Sequence, residues 1–321
     1  LISIFRSEQS PDVMPKTHVS KSITINRSAE EIFSKLNDFN QWPQWSPWLI
    51  CEPDARVEVA PDAKYYEWEG KRVGSGNMRI INEQPNGSID YDLTFLTPWK
   101  STAKVRFALE DTGESTKVTW IMDSSLPFFM FWMKKSMESF IGMDFDRGLN
   151  MLKEHVEDGT VNSKLEFIGE GSYPGCQYLG ITRTCSMSDI GTSMSKDFES
   201  LWSYIGKDSD NVASESFSIY HKWDMRKQQV TYSSGVPLRD LPSDPPSGMI
   251  MGKIPATPTY TLRHIGSYLH LGNAWSTLVA MQRAKEFKPK KGFHPFETYQ
   301  NHPGQVPETE LITDIHFGLK A

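Results

Sequence analysis

The protein has 321 residues, enough for about two domains at roughly 100 to 200 residues each. Its 34 Lys and Arg against 40 Asp and Glu leave a formal net charge of -6, with no basic patch or stripe of the kind a nucleic-acid surface needs, so direct nucleic-acid binding is not expected. Cys51, Cys176 and Cys185 are odd in number and lack metal-ligand spacing, so they indicate neither a disulfide framework nor a zinc site; no stretch reaches the roughly 18 apolar residues of a membrane span.

An odd set of cysteines fits a reducing, cytoplasmic compartment. The chain opens on Leu1, Ile2, Ser3, Ile4 and Phe5 without a Met, which is compatible with an upstream signal or membrane anchor and hence with membrane proximity.

Residues 6–18 are polar, contain two prolines and read as an extended lead-in. Alternation over 19–26 predicts a half-buried strand. Ser28 stands three residues before Glu31, a capping-box spacing that opens a helix with Ile32, Phe33 and Leu36 on its apolar face. That helix should end near Asn40, because Pro43 and Pro47 follow among Trp42, Trp45 and Trp48. These tryptophans either line a cavity mouth or close a sheet against a helix, and packing is the default for side chains of that size.

Strand patterns follow at 64–68, 74–83, 88–95, 101–110 and 116–122, separated by turn chemistry such as Pro85, Asn86, Gly87 and Asp111, Thr112, Gly113. Glu67 and Glu69 flank Trp68 and should face solvent. Residues 128–133 are all apolar; they are either a greasy lid or membrane-contacting turn, or a segment buried at the start of a helix. A long helical pattern then runs to 156, with Phe140, Met143, Phe145, Leu149, Leu152 and Val156 at three- and four-residue spacing.

Strand, short helix, antiparallel strands and a long closing helix form an α+β plan. With the tryptophan-rich segment in its place, residues 16–158 resemble the SRPBCC superfamily (START-like, polyketide cyclase/dehydrase and lipid transport). The resemblance implies a helix-grip fold, a curved antiparallel sheet over a long C-terminal helix, with a cavity of unspecified ligand. Fold alone does not set the chemistry.

Residues 157–164 are polar, contain Gly159 and end the helical period, so the linker falls there and a second domain spans 164–321. Strands at 165–168 and 176–184 lead into a helix with Met194, Phe198, Leu201, Trp202 and Ile205 on one face. A hairpin pair at 216–223 and 228–236 follows. After a proline-rich loop the order recurs: strands in 249–265, a helix in 266–287 with Leu269, Ala274, Leu278 and Met281, and strands at Phe296 and Leu311. A strand-helix-strand-strand unit occurring twice is an internal repeat of architecture. Its seam, on a pseudo-twofold axis, is the natural place for a site.

Glu297 sits on the last but one strand between Phe296 and Tyr299. Period-two geometry places Phe293, Pro295, Glu297 and Tyr299 on one face and Phe296 and Thr298 on the other. Taken alone, such a carboxylate is more often a solvated edge charge than a buried group.

The ordered set of motifs around Tyr220, Gly235, Tyr268, Trp275, Glu297 and His316 resembles the GyrI-like family, which includes effector-binding domains of AraC- and MerR-type multidrug regulators. The resemblance carries that family's pocket glutamate onto Glu297 and the tyrosine of its Ser-Ile-Tyr motif onto Tyr220, with Trp223, Tyr268 and Tyr299 as ligand-binding candidates. It implies binding of a hydrophobic, cationic small molecule. Some GyrI-like proteins hydrolyse cyclopropane-bearing compounds with a Glu and a Tyr, so the resemblance also admits a hydrolase of reactive xenobiotics with Glu297 and Tyr220 as catalytic candidates. A third reading is a ligand sensor acting through a separate protein partner. An SRPBCC-like domain here stands where regulators carry a DNA-binding helix-turn-helix. Trp202 and Trp275 lie on helical stripes and read as core. No cofactor or metal is expected: the histidines lack metal-ligand spacing, and neither a phosphate loop nor a nucleophile elbow occurs.

Overall fold

The structure, a computed structural model, describes residues 15–126, 128–206 and 208–320, the side chains of 128–130 excepted. Of the lead-in expected at 6–18, residues 6–14 lie outside the described residues, and Lys16, Thr17 and His18 already belong to the first strand; the side chains of 128–130 in the 128–133 stretch lie outside the description as well. Two compact units divide the chain near residue 149, with the short segments 44–55 and 70–73 belonging to the second.

The first unit is a seven-stranded antiparallel sheet. Its strands are β1 (Lys16–Ile25), β2 (Arg56–Val59), β3 (Tyr65–Gly70), β4 (Gly74–Gln84), β5 (Ser88–Thr97), β6 (Ser101–Asp111) and β7 (Thr116–Ser125), ordered β1-β7-β6-β5-β4-β3-β2. Helix α1 (Ala29–Leu36) begins as its sequence predicts. The Ser28 side chain accepts from the Glu31 amide while Glu31 reaches back to the Ser28 amide, and Ile32, Phe33 and Leu36 are buried. It stops at Leu36 rather than near Asn40, and a 3-10 turn at Phe39–Gln44 takes in Pro43. The short β2 has no clear sequence signal, being only four residues of alternating exposure.

For Trp42 and Trp45 the tryptophan question resolves toward packing, whereas Trp48 is half-buried. Trp42 and Trp45 are buried, and the Trp42 indole donates to the Leu36 carbonyl at 3.1 Å. Trp42 meets Tyr91, Phe107 and Trp120 edge to face. Trp120 in turn stacks on Phe145 of the long helix α2 (Lys134–Glu157), 4.1 Å between centroids at 9°. Aromatic rings thus occupy the space between sheet and helix. Glu67 and Glu69 are exposed, as alternation requires. On α2, Phe145, Leu149 and Leu152 are buried, but Phe140 and Met143 are exposed; the stripe expected to include them is narrower, and between them the small Gly142 is the residue set against Val19 and Lys21 of β1.

The second unit holds an eight-stranded sheet. Its strands are β8 (Ser163–Tyr173), β9 (Cys176–Ser186), β10 (Phe217–Asp224), β11 (Gln229–Pro237), β12 (Ile250–Ile254), β13 (Thr257–Gly266), β14 (Phe296–Tyr299) and β15 (Ile312–Gly318), in the order β12-β9-β11-β10-β14-β15-β13-β8. That order reads the same from either end once β8 to β11 are matched with β12 to β15. Each half also carries an outer strand that crosses to the other half. Tyr173 of β8 pairs with Thr257 of β13, and Cys176 of β9 pairs with Ile254 of β12. The repeat is therefore one strand longer than the strand-helix-strand-strand unit read from the sequence.

Helix α3 (Ile190–Ile205) packs Leu201 and Ile205 on Leu179 and Val236, and α4 (Gly272–Arg283) packs Ala274, Leu278 and Met281 on Leu262 and Ile315. Two residues expected on these apolar faces are turned outward. Trp202 is 36% exposed and Leu269 57%; Leu269 lies in a 3-10 turn at Tyr268–His270, ahead of a helix that begins only at Gly272.

Candidate functional site

The two halves of the second unit meet where β10 pairs with β14, with Ser218 directly opposite Glu297. Phe217, Ser218, Ile219 and Tyr220 in one half correspond to Phe296, Glu297, Thr298 and Tyr299 in the other. Because equivalent residues face each other at Ser218 and Glu297, the pseudo-twofold axis passes between them. The alternation of a strand then sends Ser218, Tyr220, Glu297 and Tyr299 to one face. Phe217, Ile219 and Phe296 share a core cluster with Phe293, on the other face, which corrects the expected placement of Phe293: β14 begins only at Phe296, so period two does not extend back to it.

Glu297 is 1% exposed. The hydroxyls of Tyr220 and Tyr299, equivalent residues of the two halves, each donate to its Oε2 at 2.9 Å. The Trp275 indole of α4 donates to Oε1. Ser218 Oγ lies 2.9 Å from the Tyr299 hydroxyl. All these partners are neutral, and no salt bridge reaches Glu297 among the described residues. Burial pushes its carboxyl above the usual range, while the hydrogen bonds from Trp275, Tyr299 and Tyr220 oppose the rise. Burial first and the Glu297 charge second push Tyr220 and Tyr299 well above an ordinary phenol. Both remain protonated donors at neutral pH.

Aromatic rings wall the carboxylate. Tyr220 stacks on Trp223 at 5.3 Å and 13°, and meets Trp275 edge on at 4.8 Å. Tyr299 meets Tyr268 at 5.9 Å and Phe198 of α3 at 5.7 Å. Trp223 and Tyr268 are more than a third exposed, whereas Tyr220, Tyr299 and Glu297 are buried. Burial, then the Glu297 charge, raises the Tyr268 phenol to about 12.

The five residues singled out from the sequence, Glu297, Tyr220, Trp223, Tyr268 and Tyr299, thus fall in one connected set. Sequence reasoning missed Trp275 as a polar partner and Phe198 as a neighbour. Helical periodicity shows that Trp275 points inward but carries no signal for where its N–H is aimed.

Elsewhere, a recess of about 570 Å³ in the first unit is lined in part by Thr17, Leu93, Ala103 and Ser124, with Lys104 and Asp123 beside them. No group of three or more His, Cys, Asp or Glu residues able to hold a metal occurs among the described residues. No helix of the described residues is long and apolar enough to cross a membrane.

Comparison with known proteins gives two family matches. Residues 16–157 match the family described as polyketide cyclase / dehydrase and lipid transport, and residues 173–320 match the GyrI-like small molecule binding domain. Among solved structures, the chain is similar to that in a cryo-EM structure of an EcmrR-DNA complex, at 16% identity over 59% of this chain and 69% of that one, with a TM-score of 0.42. It is also similar to the EcmrR C-terminal domain, at 17% identity over 49% of this chain and 98% of that one, TM-score 0.37. A START superfamily protein from Mycobacterium smegmatis matches at 21% identity over 44% of this chain and 99% of that one, TM-score 0.33. No curated protein matches the sequence.

Proposed function

The chain joins a polyketide cyclase/dehydrase and lipid transport domain to a GyrI-like small molecule binding domain, and from that premise we propose that its second domain, residues 164–321, captures a hydrophobic cation with Glu297 as the counter-charge. The observation that carries this reading is a carboxylate buried to 1% exposure whose partners are three neutral donors. Such donors stabilise an ionised carboxylate but leave its charge uncompensated. A ligand cation supplies the missing charge, and Tyr220, Trp223, Tyr268, Tyr299 and Trp275 supply apolar and cation-π surface.

The same geometry weighs against a hydrolase with Glu297 as general base. Both carboxylate oxygens already accept hydrogen bonds, which support the ionised form against the upward push of burial and occupy acceptor positions that a general base needs for a water. The net charge of -6 likewise favours a cationic small molecule over a nucleic acid.

Thermal denaturation of the full chain with a panel of lipophilic cations tests the proposal. At least one should raise the melting temperature, and Glu297→Gln should remove the shift; a shift that survives the substitution rules out the counter-charge role.

A further inference from the structure

The first unit displays exposed aromatic residues at one end of its sheet. Phe95 pairs with Ser101 across the turn between β5 and β6, Ala103 pairs with Ser124, and Lys16 pairs with Ser125. The β5–β6 turn, the start of β1 and the end of β7 therefore lie at the same end, and the 3-10 turn Phe128–Met133 leads from that end into α2. Here Leu96 is 47% exposed, Trp99 51%, Phe131 62% and Trp132 60%. They stand on two separate turns rather than along a groove.

Lysines surround these side chains. Lys16, Lys100 and Lys135 are exposed and none of them enters a salt bridge among the described residues, whereas Lys134 pairs with Glu138 at 3.8 Å. A local excess of positive charge beside exposed tryptophans is out of character for a chain of net charge -6.

We propose that this end of the first unit docks on an anionic lipid membrane surface. Tryptophan is amphipathic and favours the headgroup level, and lysine stems extend along the apolar zone while their ammonium groups reach lipid phosphates. Apolar insertion from turn tips combined with attraction to anionic lipid gives reversible surface binding rather than a span. A protein partner would have to receive two convex turns in a matching groove, whereas a fluid interface accepts them without one. The site is independent of Glu297 and its ligand.

Vesicle flotation of the full chain tests this with two preparations, phosphatidylcholine alone and phosphatidylcholine mixed with phosphatidylglycerol. The protein should float with the anionic vesicles, and about tenfold less with the neutral ones. Combining Trp99→Ser with Trp132→Ser should lower anionic-vesicle binding about tenfold without moving the melting temperature, since both side chains are half exposed or more. Combining Lys100→Glu with Lys135→Glu should erase the preference for anionic lipid. The proposal is overturned by wild-type protein that does not float, by flotation that the tryptophan variants leave unchanged, or by a concentration-dependent dimer that those variants disperse, which would assign the surface to a second copy of this chain.

Discussion

Ser218 and Glu297 face each other across β10 and β14, occupying the same place in the two halves of one duplicated unit. One place holds a hydroxyl and the other a carboxylate, so the axis carries a single acid. The tyrosines two residues further along, Tyr220 and Tyr299, both turn back to it. The geometry concentrates two symmetric donors on one asymmetric acceptor.

Affinity for a cation should follow the ionisation of that acceptor. Burial raises the folded-state value of Glu297 above the ordinary 4.5, so binding should strengthen as pH rises through the raised value. Calorimetric titration of a lipophilic cation across pH should show this rise. Glu297→Gln should lower affinity by about 30-fold or more at neutral pH and flatten the profile.

The same shift acts on stability with the opposite sign. A carboxylate whose value is raised in the folded state contributes stability that is fully present below its unfolded value and lost as pH climbs through the folded one. Unliganded wild-type protein should therefore lose stability relative to Glu297→Gln as pH rises from about 4.5 toward neutrality. Urea unfolding at a series of pH values measures the difference.

Tyr220→Phe and Tyr299→Phe each delete one donor to a buried charge, at a cost of about 1–3 kcal/mol at neutral pH. Both should push the pH midpoint of cation binding upward, because the ionised form of Glu297 loses support. If the hydroxyls merely fill space, unfolding and binding will both be unaffected.

Two histidines, His264 buried and His316 half-buried, should make the second unit acid-sensitive. Burial, joined by His270, lowers His264 to about 4, and burial lowers His316 to about 4 despite nearby Asp314. His316 bridges Thr261 and Thr298 at 2.9 and 3.0 Å. A base depressed on folding costs stability as pH falls from its unfolded value of about 6.5 to about 4, worth about 3 kcal/mol for each group in full. His316→Gln should reduce the slope of stability against pH in that window.

In the first unit, Trp120→Ala removes a ring stacked on Phe107 and Phe145 and should destabilise by about 3–5 kcal/mol. Ser28→Ala removes only the α1 cap and should cost about 1 kcal/mol. Chemical denaturation of the two variants compares them directly.

What could be read from the sequence divides by range. The capping box at Ser28 and Glu31 is local chemistry, and it appears in the structure as written. The strand alternation that exposes Glu67 and Glu69 around Trp68 is local too. Phe140, Met143, Trp202 and Leu269 misled because a helical period marks which residues share a face, not how far a neighbouring sheet extends to cover it. Trp275 read as core for a similar reason: its ring is packed against Tyr220 and Phe317, and only the tertiary structure aims its N–H at Glu297. The crossing of β8 and β12 was illegible, since each is followed within two residues by the next strand, a spacing that looks like a hairpin.

That crossing bears on how an axis with one acid can arise. If the two halves were separate identical subunits exchanging their outer strands, whatever residue stood at the centre would be met by its own copy. A glutamate there would confront a glutamate, and two such acids in close quarters cannot both ionise readily. Tethering the halves in one polypeptide releases this constraint, so that Ser218 can stand at one position and Glu297 at the other. Covalent linkage of the halves thus converts a centre bound to be even in charge into one that can carry a single negative charge.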